Sequence, residues 1–177
     1  MQIKTIFAGF GGQGVLMMGY VFAVAAMREE KVVTYLPSYG AEVRGGTANC
    51  TVALSDEEIA SPIASSPEFI VVMNKPSLHS FQNRVQTGGI LFLNSTMIDE
   101  VPSRGDIEYV MVDAGNLAEG IGDMRTANMV MLGAFIKKGN LVSMDAATGG
   151  LKEIFQGKDK VIEMNLKALM LGYESLQ

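Results

Sequence analysis

Hydrophobic and polar positions fall in blocks along this chain, and the period of each block places most of its elements. Residues 2–8 form a β-branched apolar run that reads as a strand, and the long apolar stretch 15–27 lies within a helix over 13–28. That helix is apolar nearly all round (Val15, Leu16, Met17, Met18, Val21, Phe22, Val24, Met27), so it should be buried on most sides, partly by a second chain. A second strand is expected at 31–35, and 36–46 carries turn residues with no period. Residues 47–54 alternate as a strand. Ser55-Asp56-Glu57-Glu58 then has the form of a helix start, of a brief helix because Pro62 and Pro67 interrupt the residues after it.

Continuous apolar runs at 69–73, 90–93 and 107–112 predict three strands buried on both faces, with a helix over 76–85 after the first. One helical turn at 116–120 and a clear helix over 125–138, closed by Gly139-Asn140, come next. A helix over 144–155, capped by Ser143 and interrupted at Gly149-Gly150, and an amphipathic helix over 159–175 complete the pattern. Such alternation predicts an α/β fold: a single three-layer α/β/α domain over residues 1–177, with a mostly parallel sheet and a Rossmann-like start.

Chemistry enters at the first strand-to-helix junction, Gly9-Phe10-Gly11-Gly12-Gln13-Gly14, where three glycines stand at G-x-G-x-x-G spacing. Glycine allows a positive φ, close approach of a ligand to the main chain, and tight packing of helix on strand. The first amides of the helix lack intrahelical partners and lie at the positive end of its dipole, so the turn is either an anion site or a plain tight connection. A dinucleotide site also wants an acid closing the second strand, but that strand ends in Tyr35-Leu36-Pro37, with Glu29 and Glu30 before it. A phosphate-type ligand fits better than NAD. Arg44, the only basic residue of the 36–46 loop and followed by Gly45 and Gly46, reads as a phosphate or carboxylate clamp or as a surface charge paired with Glu42. Asp113, at a strand end, either faces a ligand or caps a helix at 115–120. His79 is assigned no catalytic role.

Composition narrows the function classes. The chain is 48% hydrophobic and 19% charged, which suggests a partner surface, and its net charge of −5 argues against a nucleic-acid module. Thirteen methionines suit gap-filling core or an adaptable interface. With one cysteine, Cys50, and one histidine the chain alone can build neither an iron–sulfur cluster nor a structural zinc site. Cys50 reads as a small core residue, and the lack of any intrachain disulfide agrees with a reducing cytoplasm. The N-terminus shows no signal peptide, and the 13-residue apolar run is short of the ~20 residues a membrane span needs.

Taken together, the glycine turn, Ser38-Tyr39-Gly40-Ala41-Glu42-Val43-Arg44-Gly45-Gly46-Thr47, Asn74-Lys75-Pro76 after a buried strand, and Asn128 with Leu132-Gly133-Ala134 resemble the gamma subunit of 2-oxoacid:ferredoxin oxidoreductases. The resemblance covers essentially the whole chain, and its second motif is most similar to the 2-oxoglutarate and branched-chain members. It implies a role in oxidative decarboxylation of a 2-oxoacid, 2-oxoglutarate favoured, with coenzyme A as co-substrate and ferredoxin as electron acceptor. It further implies alpha, beta and ferredoxin-like delta partner subunits in the cytoplasm, neither nucleic acid nor membrane being involved. Thiamine diphosphate with Mg would lie on alpha and beta, and iron–sulfur clusters on beta and delta. This chain would hold no cofactor alone, supply no catalytic residue or metal ligand, and be inactive in isolation. By likeness to the single-chain pyruvate enzymes, Gly11, Gly12, Gln13, Gly14, Arg44, Gly45 and Gly46 would approach coenzyme A. Those enzymes have lysines where this loop has Arg44 beside Glu42. The other reading is a free-standing nucleotide-binding or sensory α/β module.

Overall fold

The computed structural model describes residues 1–39 and 46–176. Among these, six strands form one sheet: β1 (Gln2–Phe10), β2 (Val32–Tyr39), β3 (Thr47–Ser55), β4 (Phe69–Val72), β5 (Ile90–Asn94) and β6 (Glu108–Val112), ordered β2-β3-β1-β4-β5-β6. β1, β4, β5 and β6 run parallel, while β3 is antiparallel to both β1 and β2 and so alone opposes the rest. The mostly parallel α/β sheet is as expected. The Rossmann-like start extends only to the first strand and helix, because β3 occupies the place beside β1 that the second strand of a dinucleotide fold would take.

That insertion explains two boundary shifts. β3 pairs with β1 from Gln2↔Ser55 to Phe10↔Thr47, which carries β1 past Ala8 through Gly9 and Phe10. β2 likewise continues beyond Tyr35 to Tyr39, in register with β3 through Pro37↔Cys50. Proline is tolerated there because β2 is an edge strand, whose outer side makes no ladder bonds among the described residues. β6 is the opposite edge, so Tyr109 and Met111 are exposed instead of buried as the apolar run suggested.

Among the described residues six helices accompany the sheet: α1 (Val15–Arg28), α2 (Lys75–Phe81), α3 (Ala114–Gly120), α4 (Ala127–Gly139), α5 (Met144–Ile154) and α6 (Asp159–Glu174). α2 and a 3-10 turn over Gln82–Arg84 lie on the face where Ile6, Ala8, Ile70, Val72, Leu91 and Leu93 are buried. α1 and α4 cover the other face, with α5 stacked on α1 and α6 on α4. Phe135 of α4 is the hub there, edge-on to Phe7, Phe22, Phe69 and Phe92 at centroid separations of 5.4, 5.0, 5.7 and 5.4 Å. Cys50 is buried in the same cluster, as a core residue should be.

Two local expectations fail for physical reasons. No helix follows Ser55; its hydroxyl oxygen accepts from the Glu57 amide at 3.0 Å, a local turn that competes with helix. α5 runs unbroken through Gly149 and Gly150, where α1 lies close: a Cβ on Gly150 would stand 3.3 Å from the Ala25 backbone nitrogen, and one on Gly149 2.6 Å from the movable Arg28 guanidinium. Much of α1 is thus buried within its own chain, and Tyr20 and Met27 are its exposed large apolar residues.

Candidate functional site

The C-terminal ends of β1, β4, β5 and β6 lie along one edge of the sheet, where open α/β sheets bind ligands. The glycine turn leaves β1 at this edge and enters α1. Gly12 has φ 97° and Gly14 φ 72°, both left-handed, so these two positions carry the turn's need for glycine. Gly9 serves differently, since a Cβ there would be 2.7 Å from Gln13 Oε1 and 2.8 Å from Val15 Cγ1.

Gly14 caps α1 with no side-chain acceptor, and the first turn of the helix holds no acid. Its carbonyl takes the Met18 amide at 2.9 Å, so the amides of Val15, Leu16 and Met17 begin a 14-residue helix without intrahelical partners. Such a turn with successive N–H groups directed outward binds anions. Beside it is an open concavity of ≈ 390 Å³ lined by Phe10, Gly11, Gly12, Val15, Met17 and Tyr39, among others.

The structure brings part of the expected site together. Gly11 donates its amide to the Gly46 carbonyl at 3.0 Å, which joins the glycine turn to the approach of β3. Arg44 and Gly45, with Glu42, lie outside the described residues. Gln13 sits in the turn, yet its side chain is engaged inward: Oε1 accepts from the Phe10 amide at 2.7 Å and from Asn74 Nδ2 at 2.8 Å, and Nε2 donates to the Met73 carbonyl at 3.5 Å.

Two asparagines were not singled out as site residues by sequence reasoning, although both stood in the resemblance. Asn74 caps α2 by accepting the Ser77 amide at 2.9 Å while it holds Gln13, and the cap position ahead of Pro76 was the available signal. Asn128 donates to the Gly14 carbonyl at 3.1 Å across 114 residues of sequence, for which no local pattern exists. Asp113 does not cap α3 with its own side chain. Its carboxylate accepts from the Thr96 hydroxyl at 2.6 Å, and Thr96 Oγ1 takes the Gly115 amide at 2.9 Å.

The donor set of this chain does not fit an iron–sulfur cluster. Cys50 is fully buried and its thiol is pushed up to about 12 by burial, far from the thiolate form that binds metal at neutral pH. His79 lies at the surface against Glu100. Among the described residues no three His, Cys, Asp or Glu side chains cluster as metal ligands, and no helix is long and apolar enough to cross a membrane.

Fold and turn together define an α/β protein whose glycine-rich strand-to-helix junction leaves the first helical amides without intrahelical partners. A family model described as pyruvate ferredoxin/flavodoxin oxidoreductase matches residues 4–175, and the chain belongs to that family. It is 40% identical to the ketoisovalerate oxidoreductase subunit VorA of Methanothermobacter thermautotrophicus, over 98% of this chain and 36% of that protein. To the 2-oxoglutarate synthase subunit KorC of Methanothermobacter marburgensis it is 35% identical, over 98% of this chain and 96% of that one. The chain thus spans about a third of the length of the VorA relatives and nearly all of that KorC. A solved gamma subunit of a keto/oxoacid ferredoxin oxidoreductase from Geobacter sulfurreducens superposes with a TM-score of 0.84 at 26% identity, covering 97% of this chain and 96% of that one.

Proposed function

We propose that this chain is the gamma subunit of a 2-oxoacid:ferredoxin oxidoreductase, and that its glycine turn, with Arg44, approaches the phosphates of coenzyme A in the assembled enzyme. The observation that most supports the reading is that one domain recurs in two settings, as nearly the whole of a KorC chain and as about a third of VorA. The overall reaction converts a 2-oxoacid and coenzyme A into acyl-CoA, carbon dioxide and a proton, with two electrons passing to ferredoxin. Thiamine diphosphate with Mg and the clusters belong, on this reading, to alpha, beta and delta partners. The chain's own part is to present main-chain N–H groups to an anion, as one domain over 1–177 in a cytoplasmic complex.

The choice of oxoacid shifts from 2-oxoglutarate toward a branched-chain acid such as ketoisovalerate, because the VorA likeness exceeds the KorC one. Purifying the complex from its native source and assaying several oxoacids by viologen reduction decides between them. Absence of oxidoreductase alpha and beta chains from the preparation would leave a free-standing α/β module instead. Within the complex, Arg44→Ala should raise the KM for coenzyme A by roughly 10-fold to 150-fold, the equivalent of about 1.5–3 kcal/mol for a charge-assisted hydrogen bond. The KM for the oxoacid should stay put, and an unchanged coenzyme A dependence would remove Arg44 from the site.

A further inference from the structure

We infer that Asn74 is a positioning residue for the coenzyme A site: it locks Gln13, and through Gln13 sets the orientation of the amides that the glycine turn presents. The inference rests on the reading that this turn holds coenzyme A phosphate. Its observations are independent of that reading. Each polar atom of the Asn74 side chain has one task. Oδ1 accepts the Ser77 amide at 2.9 Å and so caps α2, while Nδ2 donates to Gln13 Oε1 at 2.8 Å. Gln13 Oε1 also takes the Phe10 amide at 2.7 Å, and the Gln13 amide returns to the Phe10 carbonyl at 3.1 Å, closing the turn on itself.

The donor from Asn74 fixes which end of the Gln13 amide faces which partner. Were Gln13 to rotate by half a turn, Nε2 would point at the Phe10 N–H and Oε1 at the Met73 carbonyl, replacing attractive contacts by donor–donor and acceptor–acceptor ones. Asn74 opposes that rotation because its own Nδ2 requires an acceptor. The space around Gln13 is equally restricted, since even a Cβ on Gly9 would be 2.7 Å from Oε1. Asn74 is 1% exposed, so its hydrogen bonds do not compete with bulk water. Neither side chain needs to touch the ligand. They hold the segment from Phe10 to Gly14, while Asn128 holds the far end through the Gly14 carbonyl.

Asn74→Asp separates the two tasks, because aspartate remains a good helix cap but places an acceptor against Gln13 Oε1. In the assembled complex the variant should keep its subunit composition and its KM for the oxoacid. Its KM for coenzyme A should rise at least about threefold to tenfold, the scale of one lost neutral hydrogen bond, with the acceptor–acceptor contact adding to it. Hydrogen exchange of the peptide spanning Phe10 to Gly14, followed by mass spectrometry, should quicken in parallel. Asn74→Ala, which loses cap and lock together, should share the coenzyme A defect and also lower the melting temperature. Unchanged exchange in Asn74→Asp would overturn the lock whatever the kinetics. Faster exchange with an unaltered KM for coenzyme A would instead overturn the placement of coenzyme A at this turn, and the positioning role with it.

Discussion

Replacing Gly14 by alanine tests how the turn is built, because its cost divides into parts that other substitutions isolate. Gly14 sits at φ 72°, ψ 22°, where a residue with a Cβ loses about 1–2 kcal/mol relative to glycine. The new Cβ would stand 2.9 Å from Asn128 Cγ and nearer still to its Nδ2, so the Asn128 amide must move away. That movement breaks its bond to the Gly14 carbonyl, at a cost of about 0.5–1.5 kcal/mol. Together the loss is about 1.5–3.5 kcal/mol. Gly12→Ala shares the left-handed penalty at φ 97° but meets nothing within 4 Å among the described residues, so it should cost only about 1–2 kcal/mol. Asn128→Ala removes the obstacle along with the bond. The double variant Gly14→Ala/Asn128→Ala should therefore be less damaged than the sum of its parts by about 0.5–1.5 kcal/mol. Urea unfolding followed by circular dichroism measures all four proteins on one scale. Strict additivity, or a Gly14→Ala no worse than Gly12→Ala, would refute the role given to Asn128.

Phe135→Ala should destabilise by about 3–5 kcal/mol, the range for a buried aromatic, since four rings lose their edge-on partner; a loss below about 2 kcal/mol in the same assay would mean that α4 repacks. Cys50 should resist iodoacetamide in the folded chain and react on unfolding, because burial keeps its thiol protonated; rapid labelling without denaturant would contradict the packing. Hydrogen bonding and charge hold the carboxyls of Asp56 (from Lys31), Asp106 (from Arg104) and Asp123 (from Arg125) below the ordinary range. Their contribution is present above the unfolded value of about 3.9 and fades as pH falls through the lower folded values. Melting temperature should accordingly stay level from about pH 5 upward and drop below about pH 4, and a decline already under way at about pH 6 would need another group.

What was legible in the sequence had a local cause. The apolar runs of β4 and β5 and the amphipathic stripe of α6 each write their environment into consecutive residues, and each appears where its period placed it; β3 also lies where its alternation put it, although Cys50 to Ser55 are buried without alternation. The glycine turn was equally visible, because glycine is the residue that takes a left-handed backbone most readily. Misread features had causes at a distance. Gly149 and Gly150 look like a helix break until α1 is known to lie against them, and β6 looks buried until it is known to have a neighbour on one side only. In the site, Gly11 meets Gly46, Gln13 meets Asn74 and Gly14 meets Asn128, pairings set by topology between residues up to 114 apart.

The place of β3 bears on the kind of ligand this edge accepts. In a dinucleotide fold the second strand lies beside the first and in parallel, and its carboxyl end delivers an acid to the ribose within reach of the glycine turn. Here an antiparallel strand intervenes, so the carboxyl end of β2 is displaced by one strand from β1, and the residue beside Gly9 is Ala48, near the beginning of β3. The absent acid after Tyr35 thus goes together with a different strand order. Tyr35 itself is turned inward, its hydroxyl donating to the Leu16 carbonyl at 3.0 Å and its pKa pushed up to about 12 by burial. The turn retains the part of the motif that acts through main-chain N–H groups and lacks the part that acts through a side chain. The proposed phosphate-bearing co-substrate would need only the first, whereas a dinucleotide held by its ribose would need both, so the strand order is one more ground for the proposed reading.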